Sequence, residues 1–250
     1  MADAMLRPSK RKATDNEGDP DAKRFRPNFS DTITVVVGEE KELFTVHTAT
    51  ICQKSEFFTA ACKREWQEGK DKTIPLPDVS PRVFTLYVNW AYTGVLDIEI
   101  ADDPELQRAD DSDVSPKAQE VALSKHRHNN IISLYSAADF LLNEALKERA
   151  IDTLLHTWKS KFVWPTLISK VWRSTATGSG LRRLILDTIV SHSKGSDYIA
   201  QIRGDDSIPA DFFIDVAERS LFLHGPLKEA KPTLSRKDQY YDRNSSATSD

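Results

Sequence analysis

A chain of 250 residues and 28.2 kDa can form one large domain or two small ones, burying about 70 to 75% of its unfolded surface. Lys and Arg total 34 against 38 Asp and Glu, a formal charge of -4 and a pI near 5.9. That balance excludes the uniform positive field of a general nucleic-acid or anionic-membrane binder. No apolar run approaches the roughly 20 residues of a membrane helix, and the opening residues are polar where a secretory signal is apolar, so an intracellular protein is expected. Two cysteines, Cys52 and Cys62, are too few for a disulfide framework or a four-cysteine metal site.

Apolar residues are unevenly spread. Residues 1–28, 101–128 and 226–250 are poor in them, and the two ends are expected to be disordered tails, the middle stretch a disordered acidic insert. The first tail carries two basic blocks, Lys10-Arg11-Lys12 and Lys23-Arg24-Phe25-Arg26. Their spacing is that of a bipartite nuclear import signal, an extended segment that places two basic clusters in two acidic pockets of an import receptor. The nucleus, with the cytoplasm second, is the expected location.

Strands begin after Phe29. The β-branched run Thr32-Ile33-Thr34-Val35-Val36-Val37, turn material at Gly38-Glu39-Glu40-Lys41, and Glu42-Leu43-Phe44-Thr45-Val46 read as a hairpin. A short helix is expected over 48–54. Ser55 then caps a second helix with Phe58, Ala61 and Cys62 on one face. Thr73-Ile74-Pro75-Leu76 reads as a short strand that the proline places at the end or the edge of its sheet. Ser80-Pro81 is a cap followed by a proline at the first helical position; Phe84, Tyr87, Val88 and Ala91 follow at helical spacing, and Gly94 stops the helix.

These residues resemble a known family. Asp31, Phe44-x-x-His47, Ser55-x-Phe57-Phe58, Trp66-x-Glu68, Ile74-x-Leu76-x-Asp78-Val79-Ser80-Pro81-x-Val83-Phe84 and Trp90-Ala91-Tyr92-Thr93-Gly94 are similar in order and spacing to a BTB/POZ domain of the type common in fungi. The resemblance covers residues 29–100 and, less fully, 130–157. It implies an α+β fold, a short sheet flanked by helices, with Asp31, His47, Ser55, Tyr92 and Gly94 as its structural residues. It also implies a homodimer formed through the first helices, with Phe57 and Phe58 at the partner surface. Trp66 and Glu68 occupy the place of the apolar-x-Glu motif with which such adaptors engage the third cullin of a ubiquitin ligase. One position departs from the pattern. The residue after the histidine, often basic in the family and sharing a charged pocket with the aspartate, is Thr48.

Helix is expected to resume at Asn130, with Ile131, Leu134, Tyr135, Ala138, Leu141, Leu142 and Ala145 at three-four spacing, completing the BTB unit at about 157. Three further helices, over 165–173, 181–193 and 209–223, form a small helical extension over 158–225. His126-Arg127-His128 reads as the solvated end of the insert, not half of a metal site.

Catalytic signals are thin. Gly178-Ser179-Gly180 lacks the flanks of a phosphate loop or nucleophile elbow, Cys52 and Cys62 sit among apolar neighbours, and His47 has no catalytic companion. No catalytic, cofactor or metal residue is assigned. The expectation is a non-enzymatic interaction and oligomerisation module, acting as a substrate adaptor of a cullin ubiquitin ligase. The alternative is a nuclear transcription cofactor or scaffold that dimerises without a ligase. No membrane or specific nucleic acid is expected as a partner.

Overall fold

The computed structural model describes residues 30–63, 71–98, 115–157, 163–191, 195–224 and 237–242. Three strands form one sheet in the order β2-β1-β3. β1 (Thr32–Val37) runs antiparallel to β2 (Glu42–His47), with Val35 opposite Phe44, and parallel to β3 (Thr73–Leu76), with Val35 opposite Ile74. The period-2 pattern sends Ile33, Val35 and Val37 inward, as a strand buried on one face requires. β3 is an edge strand, where the missing N–H of Pro75 costs no ladder bond. The hairpin turns at Gly38, whose φ of +75° no β-branched residue adopts readily; a Cβ there would also meet the Pro81 ring at 3.0 Å.

α1 (Thr48–Lys54) and α2 (Glu56–Ala61) follow β2 directly, and α3 (Pro81–Thr93) follows β3. α3 has the boundaries its sequence dictates. The Ser80 hydroxyl accepts the Val83 N–H at 3.4 Å, Pro81 opens the first turn, and Gly94 closes it in the left-handed conformation, donating to the Trp90 carbonyl at 2.8 Å. Its buried face is wider than expected and includes Val83, Leu86 and Trp90.

Two long helices come next, α4 (Pro116–Phe140) and α5 (Glu144–Thr157). Here the expectation of a disordered insert to residue 128 is corrected: residues 116–128 are the first half of α4. Apart from His128 this half is exposed or only partly buried, and it carries no apolar stripe. It is built from helix formers such as Lys117, Ala118, Gln119, Glu120, Ala122 and Leu123, and Ser115-Pro116 repeats the start signal of α3. Propagation from the packed half then needs no burial of its own. Residues 101–114 lie outside the described residues. Between the helices, Leu142 sits at φ +51° and the Asn143 side chain accepts the Leu146 N–H at 3.0 Å, capping α5.

α6 (Pro165–Ser174), α7 (Gly180–Ser191), α8 (Gly195–Ile202) and α9 (Ala210–His224) complete the body. α8 was not anticipated, although Tyr198, Ile199 and Ile202 have helical spacing and pack on the core. The second correction concerns the final tail. Residues 237–240 form a 3-10 turn, and Tyr240 is only 1% exposed. An aromatic side chain in a polar stretch is enough to anchor it, since burying one ring removes a large apolar area from water.

Two apolar cores share a wall. The first gathers the sheet with Ile51, Phe58, Phe84 and Tyr87 and takes Leu134, Ala137 and Ala138 from α4 and Leu141 from its C-terminal cap. The second holds α6 to α9 and takes Ile131, Ile132 and Tyr135 from α4 with Ile151 and Leu154 from α5. The helical extension is therefore packed on the same hairpin that closes the sheet unit.

Candidate interaction surfaces

Ser55 ties the early helices to the later ones. Its hydroxyl accepts the Phe58 N–H at 3.1 Å, capping α2, and donates to the Leu141 carbonyl at 2.6 Å. Phe58, placed at the partner surface by the sequence, is fully buried, with its ring 6.1 Å from Tyr87 and 6.4 Å from Phe84. That placement is corrected: position 58 lies three residues into α2, on the face that meets α3. Phe57, its neighbour, is half-buried and packs at 5.1 Å on Phe140. Phe140 and Leu142 are both more than half exposed, so the α2 side of the α4–α5 turn presents adjacent apolar groups to solvent.

His47 ends β2 and precedes α1. The Tyr92 oxygen accepts the His47 backbone N–H at 2.9 Å and lies 2.7 Å from Nδ1. With the tyrosine proton directed to Nδ1, the imidazole proton sits on Nε2, and the pair locks the strand-to-helix junction to the end of α3. The Asp31 carbonyl accepts the Thr48 N–H at 3.0 Å, while its carboxylate lies 2.6 Å from Lys72 Nζ. Lys72, before β3, thus supplies the cation that position 48 lacks. Both side chains are largely solvated, so the pair is worth at most about 1 kcal/mol.

Cys52 and Cys62 are half-buried free thiols. A hydrogen bond shared with Cys62, then burial, pushes the Cys52 thiol up, which keeps it protonated and unreactive. No cluster of three or more His, Cys, Asp or Glu that could hold a metal occurs among the described residues. No helix among them is long and apolar enough to cross a membrane.

A groove of about 410 Å³ opens between the β3–α3 connection, α4 and α6. Val79, Val83, Ala137 and Phe140 line its apolar side; Ser174 and Lys170 face them. Lys170 Nζ donates to Asn129 Oδ1 at 2.7 Å and to the Ser133 hydroxyl, and burial lowers its pKa. A lysine tied to two neutral acceptors fixes the spacing of α4 and α6 and leaves the groove shaped for apolar side chains.

Buried polar groups hold the extension together, and nothing in the sequence pattern marks them. Arg182 on α7 donates to the Trp172 and Thr175 carbonyls, both at 2.7 Å, so a guanidinium satisfies the end of α6. The Asp187 carboxylate, fully buried, accepts two bonds from Arg219 at 2.6 and 2.9 Å. His126 and His128 are within α4, not at a loop end. His128 is 3% exposed, its ring 5.6 Å from that of Trp164 and its Nε2 3.3 Å from the Thr157 hydroxyl.

Burial, then the charge of Arg127, lowers the His128 pKa to about 4 from the ordinary 6.5 of a histidine. The folded state therefore binds fewer protons than the unfolded state between these values. Stability is complete above pH 6.5 and falls as pH drops toward 4, by on the order of 2 to 3 kcal/mol. Urea midpoints measured across this range check it: His128→Gln is expected to flatten that part of the profile, and an unchanged slope would reject the assignment.

The sheet and the capped helix after β3 lie within residues 23–114, which match the family model of the BTB/POZ domain. The front of this chain is a BTB domain. Its small sheet with surrounding helices is the expected α+β BTB fold. The chain is also 25% identical over 213 residues to TD and POZ domain-containing protein 4 of Mus musculus, an alignment covering 83% of this chain and 49% of the mouse protein. The chain thus spans about half the length of that curated relative, which is mammalian where the sequence suggested a fungal type. The BTB domain is a protein–protein interaction module. Within it, Asp31, His47, Ser55, Tyr92 and Gly94 all occupy positions that join one element to the next. Trp66, Glu68 and the basic residues Lys10, Arg11, Lys12, Lys23, Arg24 and Arg26 lie outside the described residues.

Proposed function

We propose that this protein is a non-enzymatic adaptor that dimerises through its BTB domain and brings a bound protein to a ubiquitin ligase built on the third cullin. The observation that supports this reading is the BTB domain together with the helices packed against it through α4 and α5. That arrangement holds any surface on the extension at a fixed orientation to the domain that would engage the ligase, which an adaptor needs. The apolar groups at Phe57, Phe140 and Leu142 offer material for a protein contact.

Trp66 would fill an apolar groove on a partner helix while Glu68 accepts a charge-assisted or backbone hydrogen bond that sets the register. Glu68→Ala is expected to weaken binding of the purified protein to the cullin's N-terminal region by about five- to a hundredfold, or about 1 to 3 kcal/mol, with an unchanged unfolding midpoint. No measurable cullin affinity in the wild type, or equal affinity in the variant, rejects the ligase reading. Light scattering at tens of micromolar tests the dimer, which a species of 28.2 kDa alone would exclude.

The two basic blocks favour a second reading, a nuclear cofactor that recruits partners without a ligase. Replacing Lys23, Arg24 and Arg26 by Ala is expected to move a tagged protein to the cytoplasm with no change in thermal stability. A nuclear signal that persists in the variant removes the import proposal.

A further inference from the structure

Residues 238–242, Asp-Gln-Tyr-Tyr-Asp, lie against α5 and α7 in the manner of a bound peptide. Their local structure is one 3-10 turn over 237–240, extended by the Tyr241 N–H donating to the Asp238 carbonyl at 3.3 Å. Side-chain contacts tie them to the body. The Tyr240 ring is buried in the second core. The Tyr241 hydroxyl donates to Asp152 Oδ1 at 2.7 Å, and its carbonyl accepts from Arg183 at 3.3 Å.

Asp242 enters a site built for a carboxylate. Its Oδ1 accepts the Gly180 N–H at the start of α7, at 2.5 Å, and lies 3.4 Å from Arg183 Nη2. Its Oδ2 lies 3.1 Å from Lys147 Nζ and accepts the Tyr135 hydroxyl. The Lys147 side chain is only 7% exposed, and Asp139 and Glu144 hold its ammonium from the other side at 2.6 and 3.3 Å. The cation therefore stays in place whether or not Asp242 is present. The floor of the groove is shaped as well: a Cβ on residue 180 would fall 1.6 Å from the Tyr240 carbonyl oxygen, so the peptide backbone passes where only glycine leaves room.

We infer that the surface between α5 and α7 is a peptide-binding groove that recognises a Tyr-Tyr-Asp sequence through a buried aromatic pocket and a carboxylate receptor, and that the chain's own residues 238–242 occupy it in cis. This inference does not depend on the cullin reading. Residues 225–236, which join α9 to the segment, reach at most about 40 Å when extended, enough for the segment to leave and return. Held by side-chain contacts and a single turn of local structure, with no strand pairing or long helix, it belongs with the parts of a fold that open independently of the rest.

The experiment uses the full chain with a site-specific protease sequence placed within residues 226–235. After cleavage, the released C-terminal piece is expected to co-elute with the body on gel filtration. A fluorescein-labelled peptide of residues 236–245 is expected to exchange with it, and the same peptide carrying Asp242→Ala to bind at least tenfold more weakly. Complete separation after cleavage, or equal binding of the two peptides, overturns the inference. Should the cleaved protein unfold, the segment is an integral part of the fold and not a ligand, which also overturns it. In the uncut chain, Asp242→Ala is expected to speed hydrogen exchange at the Gly180 amide at least tenfold while amides 184–189 of α7 stay protected. Loss of protection along all of α7 counts against the groove.

Discussion

Arg219→Ala is expected to lower the unfolding free energy by about 3 to 5 kcal/mol. The Asp187 carboxylate it serves has no exposure at all, and Arg219 Nε and Nη2 reach both of its oxygens from α9. Removing the guanidinium leaves a charge with neither water nor a cation. The same substitution strips the contact of Arg219 with the Phe222 ring, 5.2 Å away. Tyr240 shares the neighbourhood: burial, then the Asp187 charge, raises its pKa. Urea unfolding followed by circular dichroism gives the number. A loss below 1 kcal/mol would mean that water reaches the carboxylate. Replacing both partners, Asp187→Leu with Arg219→Met, is expected to recover most of the loss, because the desolvation cost disappears with the charge.

Phe58→Ala is expected to cost about 3 to 5 kcal/mol, whereas Phe57→Ala costs about 1 kcal/mol. The two rings stand 5.4 Å apart, yet one is sealed among Phe84 and Tyr87 while the other has a solvent side and Phe140. A cavity at position 58 would open beneath the cap made by Ser55, so its effect spreads to the α2–α4 contact. Self-association should respond in the opposite order. Phe57→Ala, measured by light scattering near the dissociation constant, weakens any contact made through this face while leaving the fold intact. If Phe58→Ala unfolds at the wild-type urea concentration, the assignment of that ring to the core is wrong.

Much of this architecture was legible because two signals are local. Alternation in Thr32 to Val37 and the Ser-Pro-to-Gly span of α3 each bind sequence to geometry within a few residues, and the structure follows them. What escaped was non-local. The charges of Arg182 and Asp187 suggest solvent, but their partners lie on other helices, so burial could not be read from neighbours in the chain. Residues 237–242 show the same difficulty, a polar stretch whose place depends on Lys147 and Gly180 far upstream. The first half of α4 is different, for its Ser115-Pro116 start is visible in the sequence, and the charge of the insert with the absence of an apolar stripe argues against helix there. Trp66 and Glu68 rest on resemblance alone.

The α4–α5 hairpin also fixes the order in which the chain can become stable during synthesis. The sheet core is missing Leu134, Ala137, Ala138, Leu141 and Leu146 until that hairpin has left the ribosome, and the bond from Ser55 to Leu141 spans 86 positions. Strands made first must therefore wait for helices made in the second half. Once the hairpin docks, its opposite face still exposes Ile131, Ile132, Ile151 and Leu154 until α6 and α7 arrive. A nascent chain stopped near residue 157 would display that apolar face to chaperones, and a stop codon there is a loss of both halves rather than of the extension alone.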